Sequence, residues 1–136
     1  MATGTNELKL KLRQEMLDIR NAMSEAECTA ASIAICNKLW EAYRRFKYDK
    51  TGVFLSYYHM KNEVHLTNMH ENLLKNGYEL FFPVIEEEEI KFYFAQSPSD
   101  FTKGHFGIME PRERKLPYDE SEDAICFVPG VAFSEK

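Results

Sequence analysis

Short apolar runs of strand length alternate with helical patterns along the chain, and this order restricts the possible folds. The runs occupy positions 52–58 (GVFLSYY), 79–84 (ELFFPV), 90–95 (IKFYFA) and 124–128 (AICFV). A helical pattern with Thr67 as its predicted N-cap separates the first two runs and stops at Gly77. Strands that alternate with helices imply a mainly parallel sheet, because a parallel connection needs a crossover. The sequence therefore predicts an α/β fold in three layers, α/β/α, with a mainly parallel sheet.

Two amphipathic helices are predicted ahead of the first strand. Apolar residues recur at helical spacing over positions 6–23, with Lys9, Lys11, Arg13 and Arg20 between them. Ser24 and Glu27 form an S-x-x-E capping box, which marks the start of a second helix running to about residue 46. The apolar stripe predicted to face the core in this second helix consists of Ala31, Ile35, Leu39, Ala42 and Phe46.

Composition limits the classes of protein to consider. The chain has 136 residues, and we expect a single domain over 1–136. Hydrophobic residues make up 44%, enough for a core, and 17 basic residues against 22 acidic ones give a net charge of −5. Because no basic stripe is present, we do not expect nucleic acid as a partner. We expect a monomer.

The location of the protein is predicted from its apolar segments and its cysteines. No run of about 18 apolar residues could span a membrane, and charges occupy the positions where a secretory signal would be apolar. Cys28, Cys36 and Cys126 are widely spaced and odd in number, which fits reduced thiols in the protein core. We therefore expect a cytoplasmic protein without a membrane segment.

Ligands of such sheets bind beyond the carboxyl ends of the strands. This rule directs attention to segments 56–63, 97–111 and 129–133, where polar residues follow predicted strands. Common catalytic signatures are absent from the sequence: there is no HExxH, GxSxG, GxGxxG or GxxxxGK[ST]. The four histidines are separated in sequence, and a metal role for them is not expected. Residue patterns alone thus indicate an α/β domain with a basic first helix and polar loops at its ligand edge.

Four motifs in order resemble one known family. They are Lys9 and Arg13 within ELKLKLR with Arg20 further on, FLSYYHMKNEV with Glu63, FGIMEP at 106–111, and DAICFVPGVAFSEK from Asp123. The first is similar to the opening helix of 5-formyltetrahydrofolate cyclo-ligases, also called methenyltetrahydrofolate synthetases. The others resemble the FLS strand with its Glu-Val pair, the FGIxEP phrase and the PGxAF turn of that family. Each motif is common by itself, and the set is specific.

The resemblance implies an ATP-dependent ligase of one-carbon metabolism. Such an enzyme converts 5-formyltetrahydrofolate and ATP to 5,10-methenyltetrahydrofolate, ADP and phosphate, and uses Mg²⁺. Phosphorylation turns the formyl oxygen into a leaving group, after which N10 attacks and the ring closes. Positioning and charge stabilisation do most of the work in phosphoryl transfer, so no protein nucleophile is assigned.

The resemblance also implies roles for individual residues. Lys9 and Arg13 would bind the ATP polyphosphate together, with a solvated helix face as the alternative. Glu63 would accept hydrogen bonds from the pterin, or would be an ordinary loop residue. Leu55 and Phe106 would line the flat pterin ring, although Phe106 could equally be a core residue. Arg20 would assist with phosphate or only cap the end of its helix.

Three departures from the family pattern affect these expectations. The loop between Ser56 and Glu63 is longer than usual, and His65-Leu66-Thr67 replaces an acidic-Thr pair. The chain also ends where the family continues into a Gly-rich loop with Arg and Tyr-Tyr-Asp, and it lacks the C-terminal strands. We therefore expect the 136-residue chain alone to be weak or inactive. A non-catalytic folate-binding domain, or a protein-interaction domain of the same fold, is the alternative function.

Overall fold

The computed structural model describes residues 2–45 and 52–133. Its elements follow the predicted order, with a small hairpin added in the long segment after the third strand. They are α1 (Ala2–Asn21), α2 (Glu25–Arg45), β1 (Val53–Leu55), α3 (Thr67–Lys75), β2 (Glu79–Glu86), β3 (Glu89–Phe94), β4 (Phe101–Lys103), β5 (Met109–Pro111) and β6 (Ile125–Cys126).

A four-stranded sheet with the order β3-β2-β1-β6 forms the centre of the fold. Strand β1 pairs in parallel with β2, where Phe54 lies beside Leu80, and in parallel with β6, where Phe54 lies beside Ile125. Helix α3 lies between β1 and β2 in sequence, and such a crossover allows the parallel pairing. The predicted α/β fold with a mainly parallel sheet and helices is confirmed.

Strand β3 is the antiparallel member of the sheet. It forms a hairpin with β2 from the pair Glu86–Glu89 to the pair Phe81–Phe94, and the turn residues Glu87 and Glu88 both have positive φ. A two-residue turn of this kind matches the twist of antiparallel strands. Although β3 is antiparallel, its last residue, Phe94, lies beside Phe81 and so level with Leu55, the last residue of β1. Residues 96–98 then line a cavity together with residues 57–59, so the start of segment 97–111 meets the segment that follows β1.

Helices α2 and α3 pack on the sheet face that carries Phe54, Leu80 and Phe82. Met69 and Leu73 of α3 are almost fully buried there, as is Cys36 of α2. The opposite face carries Phe81 and Phe94, which pack edge-on against each other, and Tyr118 packs edge-on against Phe81. Of the helices in the described residues, none combines the length and the apolar character that a membrane span requires.

The buried face of α2 differs from the predicted stripe. Ala31 and Ile35 are exposed, and the buried residues of the helix are Cys28, Ser32 and Cys36, while Phe46 lies outside the described residues. The Ser32 hydroxyl accepts a hydrogen bond from the His65 amide at 2.9 Å, and the Cys36 thiol donates to the His65 carbonyl at 3.3 Å. These tertiary hydrogen bonds satisfy small polar side chains at the interface, so a slightly rotated face is buried.

The predicted helix caps had different outcomes. The capping box before α2 is confirmed, because the Glu27 amide donates to the Ser24 hydroxyl at 3.1 Å and the Ser24 amide donates to the Glu27 carboxylate at 3.3 Å. Thr67 is not the N-cap of α3: that position is Leu66, which makes no side-chain cap. The three cysteines are free as expected, but Cys126 is exposed and is not a core residue.

Candidate functional site

The basic face of α1 opens onto a cavity of about 540 Å³. Lys9, Leu12 and Arg13 line one side of it, and the segment 130–133 lines the other. Residues four apart lie on the same face of a helix, so both cations reach this cavity. The structure thus brings together two motifs from opposite ends of the sequence.

This cavity lies near the carboxyl edge of the parallel strands. Segment 130–133 follows β6, which pairs with β1, and the Phe127 amide donates a hydrogen bond to the Leu55 carbonyl at 2.8 Å. Strands β1 and β6 therefore end side by side. The loop that contains Glu63 follows β1, and the segment that lines the cavity follows β6, so both start at the same place. Leu55, Glu63 and Phe106 do not line this cavity, and the Glu63 loop meets α1 at Arg20 instead, through a hydrogen bond from Asn62.

Gly130 and Phe133 shape the wall of the cavity. A Cβ atom on Gly130 would lie 2.1 Å from Cζ of Phe133, so the ring packs directly on the glycine backbone. Phe133 is nevertheless 85% exposed. Because the ring is exposed at the cavity wall, its face is available to contact a flat or charged ligand.

Glu63 sits in a tightly bonded turn beyond β1. Its carboxylate accepts a hydrogen bond from the Met60 amide at 2.8 Å, and its own amide donates to the Met60 carbonyl at 3.0 Å. Lys61 has a φ of 48°, in the left-handed region, and the Tyr57 hydroxyl donates to the Val64 carbonyl at 2.8 Å. These bonds restrict the position of the half-buried carboxylate.

The Glu63 carboxylate lies within electrostatic reach of Tyr57. Burial is the main reason that the pKa of the Tyr57 hydroxyl is raised to about 12, and the negative charge of Glu63 raises it further. The positive charge of Arg20 opposes this shift. Arg20 is itself half-buried, and its Nε atom has no hydrogen-bond partner among the described residues. The charges of Arg20, at the end of α1, and of Glu63 therefore act on the same hydroxyl group.

The two remaining predicted residues occupy different surroundings. Leu55 is the last residue of β1 and is half-buried, with its side chain on the face opposite Phe54. Phe106 lies in the turn between β4 and β5, has a φ of 56° and is 84% exposed. The alternative core role for Phe106 is therefore wrong, while its contact with a pterin stays a prediction.

Sequence reasoning missed a cluster of histidines near the end of β1. His59 and His65 stack with ring centroids 3.7 Å apart, and the ring of His70 makes a hydrogen bond with the buried Ser56 hydroxyl. His59 and His70 line a second cavity of about 160 Å³. His70 lies three residues from Leu73 and next to Met69, so the apolar stripe of α3 was the signal that could have indicated its burial.

Burial perturbs the protonation of these histidines. It lowers the pKa of His70 to about 4, with the nearby His59 as a second cause. The pKa of His59 is lowered by burial and by His65, and is raised by Glu63. The described residues contain no group of three His, Cys, Asp or Glu side chains that could hold a metal ion.

Comparison with known proteins places these features in a family. The model of the 5-formyltetrahydrofolate cyclo-ligase family matches residues 5–136. The NMR structure of 5,10-methenyltetrahydrofolate synthetase from Aquifex aeolicus is similar, with 35% sequence identity and a TM-score of 0.72. The similarity covers 92% of this chain and 62% of that one, so this chain spans less than two thirds of the length of that structure. No curated protein sequence matches.

The family model covers the basic helix, the Glu63 turn and the segment beyond β6, which the fold brings to one edge of the sheet. The structural similarity covers 92% of the chain. Sequence and structure therefore agree that this chain belongs to the 5-formyltetrahydrofolate cyclo-ligase family.

Proposed function

We propose that the protein catalyses the ATP-dependent cyclisation of 5-formyltetrahydrofolate to 5,10-methenyltetrahydrofolate, with release of ADP and phosphate. The observation that carries this proposal is the cavity between the two cations of α1 and segment 130–133. Membership of the cyclo-ligase family supports the same reaction.

Lys9 and Arg13 are proposed to bind the polyphosphate of ATP. Both side chains are exposed and line the same cavity, and within the described residues neither is part of an ion pair. A guanidinium provides paired donors for phosphate oxygens, while an ammonium provides a compact charge. Together they would orient the γ-phosphate and offset the charge that develops during its transfer.

The pterin is proposed to lie on the other side of the same edge. One Glu63 oxygen already accepts the Met60 amide, and a carboxylate can accept about four hydrogen bonds. Glu63 therefore keeps capacity for the amino and ring N–H groups of a pterin. Leu55 would provide an apolar contact, and Phe106 would cover the ring once a ligand holds it, since this side chain is 84% exposed.

Catalysis in this proposal comes from positioning. The formyl oxygen attacks the γ-phosphorus and ADP leaves. N10 then attacks the formyl carbon and gives up its proton to solvent, and the carbon–oxygen bond breaks to release phosphate. Both steps need their reacting atoms held within about 3–3.5 Å. No side chain of the described residues is assigned as a nucleophile.

Two further properties are proposed, a metal ion and a location. Mg²⁺ would accompany the nucleotide, since this ion commonly binds through substrate phosphates. The described residues contain no group of three metal-ligating side chains, so none of them is assigned to the ion. A cytoplasmic location is proposed from the reduced cysteines and the folate chemistry.

Calorimetry with a non-hydrolysable ATP analogue and with 5-formyltetrahydrofolate tests the division of roles. The double variant K9A/R13A should weaken nucleotide binding by about tenfold or more, because it removes two charge-assisted contacts, and should leave folate affinity within about twofold. E63Q should weaken folate binding and leave nucleotide binding unchanged. K11A is the matched control, because Lys11 is an exposed cation of the same helix that does not line the cavity.

The same titrations separate the alternative functions. Folate binding with no nucleotide effect would favour a non-catalytic folate module, and failure to bind either ligand would favour a protein-interaction domain. Turnover is measured as ATP-dependent appearance of the methenyl chromophore. Appearance of this chromophore only when ATP is present would support the proposed ligase.

A further inference from the structure

Asn62 joins the Glu63 turn to the end of α1. Its side-chain amide donates hydrogen bonds to the Arg20 carbonyl at 2.8 Å and to the Met23 carbonyl at 3.4 Å, across 42 and 39 positions of sequence. Both partners are carbonyl oxygens, so the NH₂ group of the amide must face them. The carbonyls at the end of a helix lack partners within the helix, and Asn62 provides donors for this end.

Helix α1 has little else to fix its position in the described part of the chain. None of residues 4–21 is buried, and Leu8, Leu12 and Ile19 are between 48% and 69% exposed. Burial of an apolar stripe is what normally holds a helix against its domain. Only Met16, Leu17 and Arg20 are half-buried among these residues, and the two hydrogen bonds from Asn62 add a polar attachment at the same end of the helix.

We propose that Asn62 is a positioning residue that couples the nucleotide-binding helix to the pterin-binding carboxylate. This inference rests on the proposed function of Lys9, Arg13 and Glu63. Asn62 touches neither ligand in this scheme. It precedes Glu63 directly in sequence, and its amide holds the end of the helix whose other half carries the two cations.

Helix geometry explains why an attachment at Arg20 affects Lys9. The two residues are 11 positions apart, which corresponds to about 16 Å along the helix axis. A tilt of about 10° at the attached end would move Lys9 by about 3 Å, and a shift of about 1 Å can strongly reduce a rate. Nucleotide bound to Lys9 and Arg13 would fix α1, and through Asn62 it would fix the Glu63 turn before folate arrives.

Two variants of Asn62 test the coupling, and the chain offers a matched control. N62A removes both donors, and N62D keeps the side-chain shape but places a carboxylate against two carbonyls. The control is N76A, because the Asn76 amide donates a comparable hydrogen bond to the Asn72 carbonyl at 2.7 Å, at the end of α3. All three variants leave the proposed ligand-binding residues in place.

Hydrogen exchange without ligands is the first measurement. Amides in the second half of α1 should exchange at least about fivefold faster in N62A and N62D than in wild type, and N76A should leave them unchanged. Unchanged exchange of α1 in N62A would overturn the assigned role of Asn62. This measurement does not depend on whether the proposed function is correct.

Calorimetry of each ligand in the presence of the other is the second measurement. In wild type and N76A, the ATP analogue should raise folate affinity by about fivefold or more, and in N62A and N62D by less than about twofold. If the ATP analogue raises folate affinity equally in wild type and N62A, the inference is overturned. It is also overturned if a wild type that binds both ligands shows no such rise. Neither result contradicts the proposed function. Binding of neither ligand by wild type would overturn the proposed function and the coupling together, while hydrogen exchange still decides whether Asn62 holds α1.

Discussion

Acid should destabilise this protein partly through His70, and one substitution can measure the contribution of this residue. The ring lies between α3 and the end of β1, is mostly buried, and makes a hydrogen bond with the Ser56 hydroxyl. Burial and the nearby His59 lower its pKa from 6.5 to about 4. The folded protein therefore holds His70 neutral over a pH range in which the unfolded chain binds a proton.

The sign and size of the effect follow from proton linkage. Above pH 6.5 the ring is neutral in both states and has no effect on the pH dependence of stability. As the pH falls from about 6.5 to about 4, only the unfolded state takes up the proton, so the free energy of unfolding falls. The full loss is about 3 kcal/mol, of which about 1.4 kcal/mol should be visible at pH 5.5.

Urea denaturation of wild type and H70Q at pH 7.5, 6.5 and 5.5 measures this loss. Glutamine can still donate to the Ser56 hydroxyl but does not titrate, so H70Q should lose about 1.4 kcal/mol less than wild type between pH 7.5 and 5.5. Carboxylates with a lowered pKa, such as Asp100, affect both proteins equally and cancel. H105Q, which changes an exposed histidine, is the control. Equal acid sensitivity of wild type and H70Q would refute the reasoning.

Three further predictions concern stability, each measured as the free energy of unfolding in urea. F54A should lose about 3–5 kcal/mol, because Phe54 is fully buried between β1 and the helices; a loss below about 1 kcal/mol would mean that the core is not formed as described. G104A should lose about 1–3 kcal/mol, because a Cβ there would lie 2.1 Å from the carboxyl carbon of the buried Glu110; an unchanged midpoint would show that Glu110 moves freely. S24A should lose about 1 kcal/mol through the capping box, and S24T should recover most of it.

The order of the elements could be predicted because it depends on local patterns. Apolar runs of strand length, the capping box at Ser24 and the stop at Gly77 with its φ of 78° act over a few residues, so they are visible in sequence. The buried face of α2 could not be predicted in this way. Ser32 and Cys36 are buried because they bind the backbone of His65, 33 and 29 positions away, and no local pattern contains that contact.

The candidate site also has features that could be predicted from the sequence and features that could not. The residue types of Lys9, Arg13 and Glu63, and the resemblance that assigned them, could be read from the sequence. The cavity that Lys9 and Arg13 share with segment 130–133 could not, because it depends on the parallel pairing of β1 with β6, about 70 positions later.

The sequence by itself thus determined which segments become helices and strands, the cations and carboxylate available for chemistry, and the family. Tertiary structure alone decided that β3 runs antiparallel, that the half-buried His70 has a lowered pKa, and that Asn62 reaches the end of α1. The physical reason is the distance in sequence over which each kind of interaction acts. Propensity, capping and periodicity act between neighbours in sequence, whereas burial, electrostatic shifts and long-range hydrogen bonds depend on residues that only folding brings together.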